Sequence, residues 1–225
     1  MFDFLNHKEI IEALDNSPYN SNTYSQSCNM ISDLINNDKI NFYLMDMIID
    51  LKKNRKNFRA LSFIISEMSI ERCREAKQYI DAIKFFNDSR VAYDLSRPIQ
   101  INMDNHDYAK FFYNSLRHEN PLVSTSYFSL LPNLSENQFF LIHDVAETEI
   151  EKEIFLLFLK KINVCYIHDL LKTNMSVFIK RIISRLAEKN LDYIDMIKII
   201  DMIDDEDIYN GYYFQSSHSI IIESI

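Results

Sequence analysis

The chain has 225 residues, with one glycine, four prolines, three cysteines and no tryptophan. Hydrophobic residues make up 47% and charged residues 25%, enough apolar material for a core that needs neither disulfides nor a metal. The lone glycine, Gly211, excludes GxGxxG loops, P-loops and GxSxG elbows, each of which needs several glycines for positive φ or close backbone approach. It also makes tight hairpins scarce, so the expected fold is all-α. Net charge is −9 and the pI about 5.1, which disfavours nucleic-acid binding by phosphate neutralisation. Residues 1–100 carry 13 basic and 14 acidic side chains; residues 101–225 carry 11 and 19.

The N-terminus, MFDFLNHKEIIEALD, has early acids and no long apolar core, so it does not read as a signal peptide. The polar stretch over 16–29 reads as a surface loop. Ile40, Leu44, Met47, Ile48 and Leu51 then share a helix face. Lys52 to Arg59 holds five positive charges and no acid, which suits a helix C-terminus. Phe58, Leu61, Ile64, Ile65 and Met68 repeat the helical spacing, followed by Tyr79, Ile83 and Phe86. Asn120-Pro121 places a capping residue before a proline at the first helical position. Ser135 and Gln138 stand at capping-box spacing. Further stripes are Ile150, Ile154, Leu157 and Phe158; then Phe178, Ile182, Ile183 and Leu186; then Leu191, Ile194, Ile197 and Ile200. No Ser/Gly/Pro-rich linker interrupts them, so 1–225 is expected as a single helical domain, with 211–225 as a C-terminal cap or tail.

Four segments open alike: 56–68 (KNFRALSFIISEM), 88–97 (DSRVAYDLSR), 119–131 (ENPLVSTSYFSLL) and 173–186 (TNMSVFIKRIISRL). The first three start about 32 residues apart and the last follows a longer gap. This resembles the HEAT-like repeat family, with Asn120-Pro121-Leu122-Val123 as the best match to its second-helix opening. Ser124 stands where that family usually has arginine, and alanines are few. The resemblance implies antiparallel helix pairs stacked as an irregular solenoid, and an extended surface suited to macromolecular partners. A plain helical bundle satisfies the same periodicity.

Two functional readings follow. Asp192, Asp195, Asp201, Asp204, Asp205, Glu206 and Asp207 set seven acids against one base, Lys198. A second acidic cluster is Asp144, Glu147, Glu149, Glu151 and Glu153. An acidic face suits a basic protein partner through electrostatic steering. The first expectation is therefore a non-enzymatic binding protein without cofactor, metal, nucleic acid or membrane. Its most concrete form is an immunity- or antitoxin-type inhibitor bound through the 192–207 acids. A viral host-interaction protein has the same composition. The run 201–207 lacks the glycine and the final glutamate of an EF-hand. The alternative starts from three His-Asp pairs, at 106–107, 143–144 and 168–169. The segment Phe140-Leu-Ile-His-Asp-Val resembles the HD-domain phosphohydrolases. That resemblance implies His118, His143 and Asp144 as metal ligands, with Asp201 or Asp205 as the distal aspartate. The cysteines Cys28, Cys73 and Cys165 form no CxxC and suit reduced thiols in the cytoplasm.

Overall fold

A computed structural model of the chain describes residues 4–18, 21–37, 45, 58–86, 88–172 and 176–200. Among them every regular element is helical, as the periodicity predicts. None of these helices is long and apolar enough to cross a membrane. The chain forms two compact units, Met1–Asn102 and Met103–Ile225, and no linker composition marks the division. The 40–51 stripe, apart from the buried Met45, and the 201–225 segment with its expected cap lie outside the described residues.

Unit 1 holds α1 (Phe4–Asn16), α2 (Asn22–Asn36), α3 (Phe58–Ser66), α4 (Ile70–Glu75), α5 (Lys77–Ile83), α6 (Ser89–Asp94) and α7 (Ser96–Ile101). Helix α3 is its hub, packing on α1, α2, α5, α6 and α7. Leu61, Ile64 and Ile65 are buried on it as expected, together with Ala60 and Ser62, and Met68 is buried just past its end. Helices α6 and α7 would run together but for Pro98. Its ring lacks an N–H and crowds the carbonyl four residues back, at Asp94, where α6 ends. Asn102 closes α7 by donating from its side-chain amide to the carbonyls of Pro98 (3.0 Å) and Cys73 (3.2 Å). Burial around this joint pushes the Cys73 thiol up to about 11.

The loop expected over 16–29 is a correction. Helix α2 starts at Asn22, and Ser21 accepts from the Tyr24 N–H at 3.1 Å. The polar stretch supplies the exposed face of a helix whose buried positions, Tyr24, Ser27, Ile31, Leu34 and Ile35, run beyond it. A window ending at residue 29 misses three of the anchors.

Unit 2 holds α8 (His106–Leu116), α9 (Pro121–Leu130), a 3₁₀ turn (Leu131–Asn133), α10 (Glu136–Val145), α11 (Glu149–Leu157), α12 (Val164–Lys172), α13 (Val177–Asn190) and α14 (Tyr193–Ile200). The predicted cap at Asn120 is present, its Oδ1 accepting from the Leu122 N–H at 2.9 Å. The Ser135–Gln138 capping box is present in both directions. The core is aromatic. Phe112 and Tyr127 meet edge to face at 5.1 Å, Phe128 meets Phe178 at 5.9 Å, and Phe139 stacks on Phe158 at 4.8 Å.

Each of the four similar openings begins a helix, and like packs on like within a unit: α3 on α6, and α9 on α13. Helices α10, α11 and α12 occupy the longer gap, with α10 against α8 and both α11 and α12 against α13. In a solenoid each repeat touches its immediate neighbours. Here α9 reaches past α10, α11 and α12 to α13, a contact that a bundle and an irregular solenoid with inserted helices both allow.

Two stripe residues point outward instead. Ile150 is 39% exposed and Ile194 67%. On α11 and its C-cap the buried set is Glu151, Ile154, Phe155, Leu157 and Phe158, a helical face with a carboxylate in its first slot. Phe178 is half-buried because the Arg117 guanidinium lies over its ring at 4.5 Å.

The hub position of α3 sets an expected outcome. Ile64→Ala should cost about 2–5 kcal/mol of stability, the usual range for emptying a packed site. Leu122→Ala, at a 47%-exposed position, should cost under about 0.5 kcal/mol. Urea titration of both variants checks the contrast.

Candidate functional site

The second acidic cluster folds around the corner between α10 and α11 and lies along α8. Glu151 is 3% exposed. One of its oxygens accepts from the Tyr113 hydroxyl at 2.8 Å and from the Thr148 N–H at 3.1 Å. The other takes a short charge-assisted bond from Arg117. Arg117 also reaches Glu147 at 3.1 Å and lies over the Tyr113 ring at 5.1 Å. The Tyr113 hydroxyl in turn accepts from the Glu147 N–H at 3.2 Å. Burial alone lifts a carboxyl pKa. Here the bonds from Tyr113 and Thr148 and the Arg117 charge outweigh it and hold Glu151 below the usual range. Tyr113 moves the other way, raised by burial and by its bond to Glu151.

The remaining members of this cluster are also partnered. Glu149 pairs with Lys152 at 2.7 Å. Glu153 accepts from the Tyr166 hydroxyl at 2.8 Å. Asp144 lies between two imidazoles, His143 Nδ1 at 3.0 Å and His106 Nε2 at 3.4 Å. The His143 bond, with help from His106, lowers the pKa of this exposed carboxyl. The run 144–153 is therefore a hydrogen-bonded seam with ion pairs to Arg117 and Lys152, and not a bare acidic face.

Sequence reasoning did not single out Tyr113, Arg117 or Glu151's inward role. One signal was available: Thr148 and Glu151 stand at capping-box spacing, and both reciprocal bonds form. The partners on α8 lie 34 and 38 residues away and carry no local mark.

The ligand set His118, His143 and Asp144 is not assembled. His118 Nδ1 accepts from the Asn120 N–H at 3.0 Å, in the turn between α8 and α9. It is His106 that shares Asp144 with His143. The third pair is looser, with His168 Nδ1 3.7 Å from Asp169, which Lys172 approaches at 3.9 Å. Among the described residues no three His, Cys, Asp or Glu side chains are disposed to hold a metal ion. These residues do not fit a divalent metal as placed.

Of the first-choice acids, Asp192 and Asp195 are described. Asp192 is exposed and caps α14, its Oδ1 accepting from the Asp195 N–H at 2.9 Å. Asp195 pairs with Lys198 at 2.7 Å. Asp201, Asp204, Asp205, Glu206 and Asp207 lie outside the described residues. The charge inventory divides sharply at residue 200. Residues 101–200 hold 13 acids and 11 bases, whereas residues 201–225 hold six acids and no base.

Glu151 carries a testable consequence. Its folded-state pKa lies below the ordinary glutamate value near about 4.3, so its stabilisation is present above that pH and fades as acid protonates it. Glu151→Gln should cost about 1–2 kcal/mol at neutral pH, because a neutral amide replaces the charge-assisted bond to Arg117 while Arg117 keeps Glu147. The variant should also lack the part of the acid-induced loss that this carboxyl contributes. Urea titrations at neutral and acidic pH check both effects.

The chain matches no known family model, no curated protein and no solved structure. The placement of charge carries the functional argument.

Proposed function

We propose that the chain is a non-enzymatic binding module whose acidic segment, Asp192 to Asp207, recognises a basic protein. The observation that supports this reading is the uneven distribution of charge along the sequence. Along 144–153 and at Asp195, carboxylates are met by Arg117, Lys152, Tyr113, Tyr166, histidines and Lys198. Downstream, five acids fall within 201–207 and no lysine or arginine follows to residue 225. A local excess of negative charge raises encounter rates with a positive surface and specifies its sign. The most concrete form of the reading is an immunity- or antitoxin-type inhibitor that covers the basic face of a toxin domain.

The test uses the partner recovered from the source cell. Asp204→Lys combined with Asp205→Lys should slow association about tenfold or more, since steering acts mainly on the on-rate. Affinity of the wild-type chain should fall as salt rises and the Debye length shortens to about 8 Å near physiological ionic strength. Folding stability should change by less than about 0.5 kcal/mol. Equal binding by the double variant, with no salt dependence, overturns the reading. So does a Mn²⁺-dependent phosphatase activity that is lost in Asp144→Asn.

A further inference from the structure

Unit 1 contains a carboxylate in an inward helical slot. On α6 and its continuation, the buried positions are Val91, Ala92, Asp94, Leu95, Pro98 and Ile99, and Asp94 is 6% exposed. Ser62 of α3 donates to Asp94 Oδ2 at 2.9 Å, and Arg90 approaches the same oxygen at 3.4 Å. The Arg90 guanidinium lies over the Tyr24 ring of α2, 4.5 Å from its centroid. The seam between α2 and α6 is therefore polar: Tyr24 and Cys28 on one side, Arg90 and Asp94 on the other.

Helix α2 packs on α1, and its first half buries few side chains of its own. Between Asn22 and Asn29, Tyr24 is the one large buried side chain, and Ser27 the other buried one. The apolar anchors, Ile31, Leu34 and Ile35, all lie in the second half. Segments with few buried apolar contacts open locally before the whole unit unfolds. Opening of the first half of α2 lifts Tyr24 from Arg90 and admits water to the Arg90–Asp94 pair.

We propose that Asp94 makes the seating of α2 proton-dependent, the first half of the helix opening more readily when Asp94 is ionised. Burial disfavours the charged carboxylate, and hydration on opening relieves that penalty. Any motion that wets Asp94 is therefore promoted by raising the pH. In the closed state burial pushes Asp94 up to about 6, with Arg90 and the Ser62 bond opposing the rise and Asp88 adding to it. Among the described residues, the charged and titratable groups around the seam lie on α2, α3, α6 and α7, Tyr24 of α2 among them. On α6 they are Arg90 and the capping Asp88, which Arg59 holds at 2.8 Å. On α2 the Cys28 thiol is raised to about 11, by burial first and then by Asp94 and Glu67. On α7 the one charged residue, Arg97, acts on Cys73. None of these residues belongs to the acidic segment proposed to bind a partner.

Amide hydrogen exchange on the full chain tests the proposal. After correction for intrinsic exchange, protection over 22–30 should fall about tenfold between about pH 5 and about pH 7.5. That factor follows from a carboxyl shifted from an ordinary value to about 6. Protection over α8, 106–116, serves as the internal control and should not follow the same curve. In Asp94→Asn the fall over 22–30 should vanish. A wild-type protection independent of pH, or the same fall in the Asn variant, overturns the proposal. Should the variant not fold, a carboxyl ¹³C titration of the wild-type chain decides instead. A midpoint for Asp94 near 6 supports the proposal, and an ordinary aspartate midpoint overturns it.

Discussion

Helix starts govern this chain. An α-helix leaves its first four N–H groups without an internal partner, and something must take them. Here polar side chains do so repeatedly: Ser21, Ser69, Asp88, Asn105, Asn120, Ser135, Thr148 and Ser176 each accept from a backbone N–H one turn in. Asn163 and Asp192 do the same for α12 and α14. A sequence with one glycine has few tight reversals available, and its asparagines, serines and aspartates supply the turns instead. The result is many short helices whose directions are set by caps, leaving packing to choose which faces meet.

The two units treat a buried acid in opposite ways. Glu151 and Asp94 both occupy slots where the helical stripe calls for an apolar side chain. Glu151 is met by a tyrosine, a backbone N–H and an arginine, and its charge is favoured. Asp94 has one serine hydroxyl and a longer arginine contact, and its charge is disfavoured. The difference lies in the number and quality of donors, since both side chains are almost fully enclosed. The first acid ties helices together at neutral pH; the second leaves a weak point in the wall around it.

This contrast also explains what was legible in the sequence. Local signals were: Asn120-Pro121 and Ser135–Gln138 name their caps outright, and Leu61, Ile64 and Ile65 name the buried face of α3. Signals that depend on a partner far along the chain were not. Nothing near residue 151 says that Tyr113 and Arg117 will arrive, so Ile150 looked like the inward residue. Composition misled over 16–29, where serine and asparagine dress the outside of a helix anchored further on. The candidate acids divided on the same principle. Those in 144–153 proved to be met by residues distant in sequence, whereas for 201–207 the sequence alone speaks, with no lysine or arginine from 201 to 225.

The hub role of α3 has a consequence for how the protein is made. Its neighbours lie on both sides in sequence: α1 and α2 before it, α5, α6 and α7 after it. A ribosome releases the chain in one direction, at roughly 5–20 residues per second. When α3 emerges, only its upstream neighbours exist, and Ile64 and Ile65 have no downstream wall to close against. The first unit is thus incomplete until Ile101 has left the exit tunnel, and its apolar hub waits several seconds in the open. A pause placed just after that point in the message would shelter the unit; a pause just before it would expose its core to chaperones and to other nascent chains.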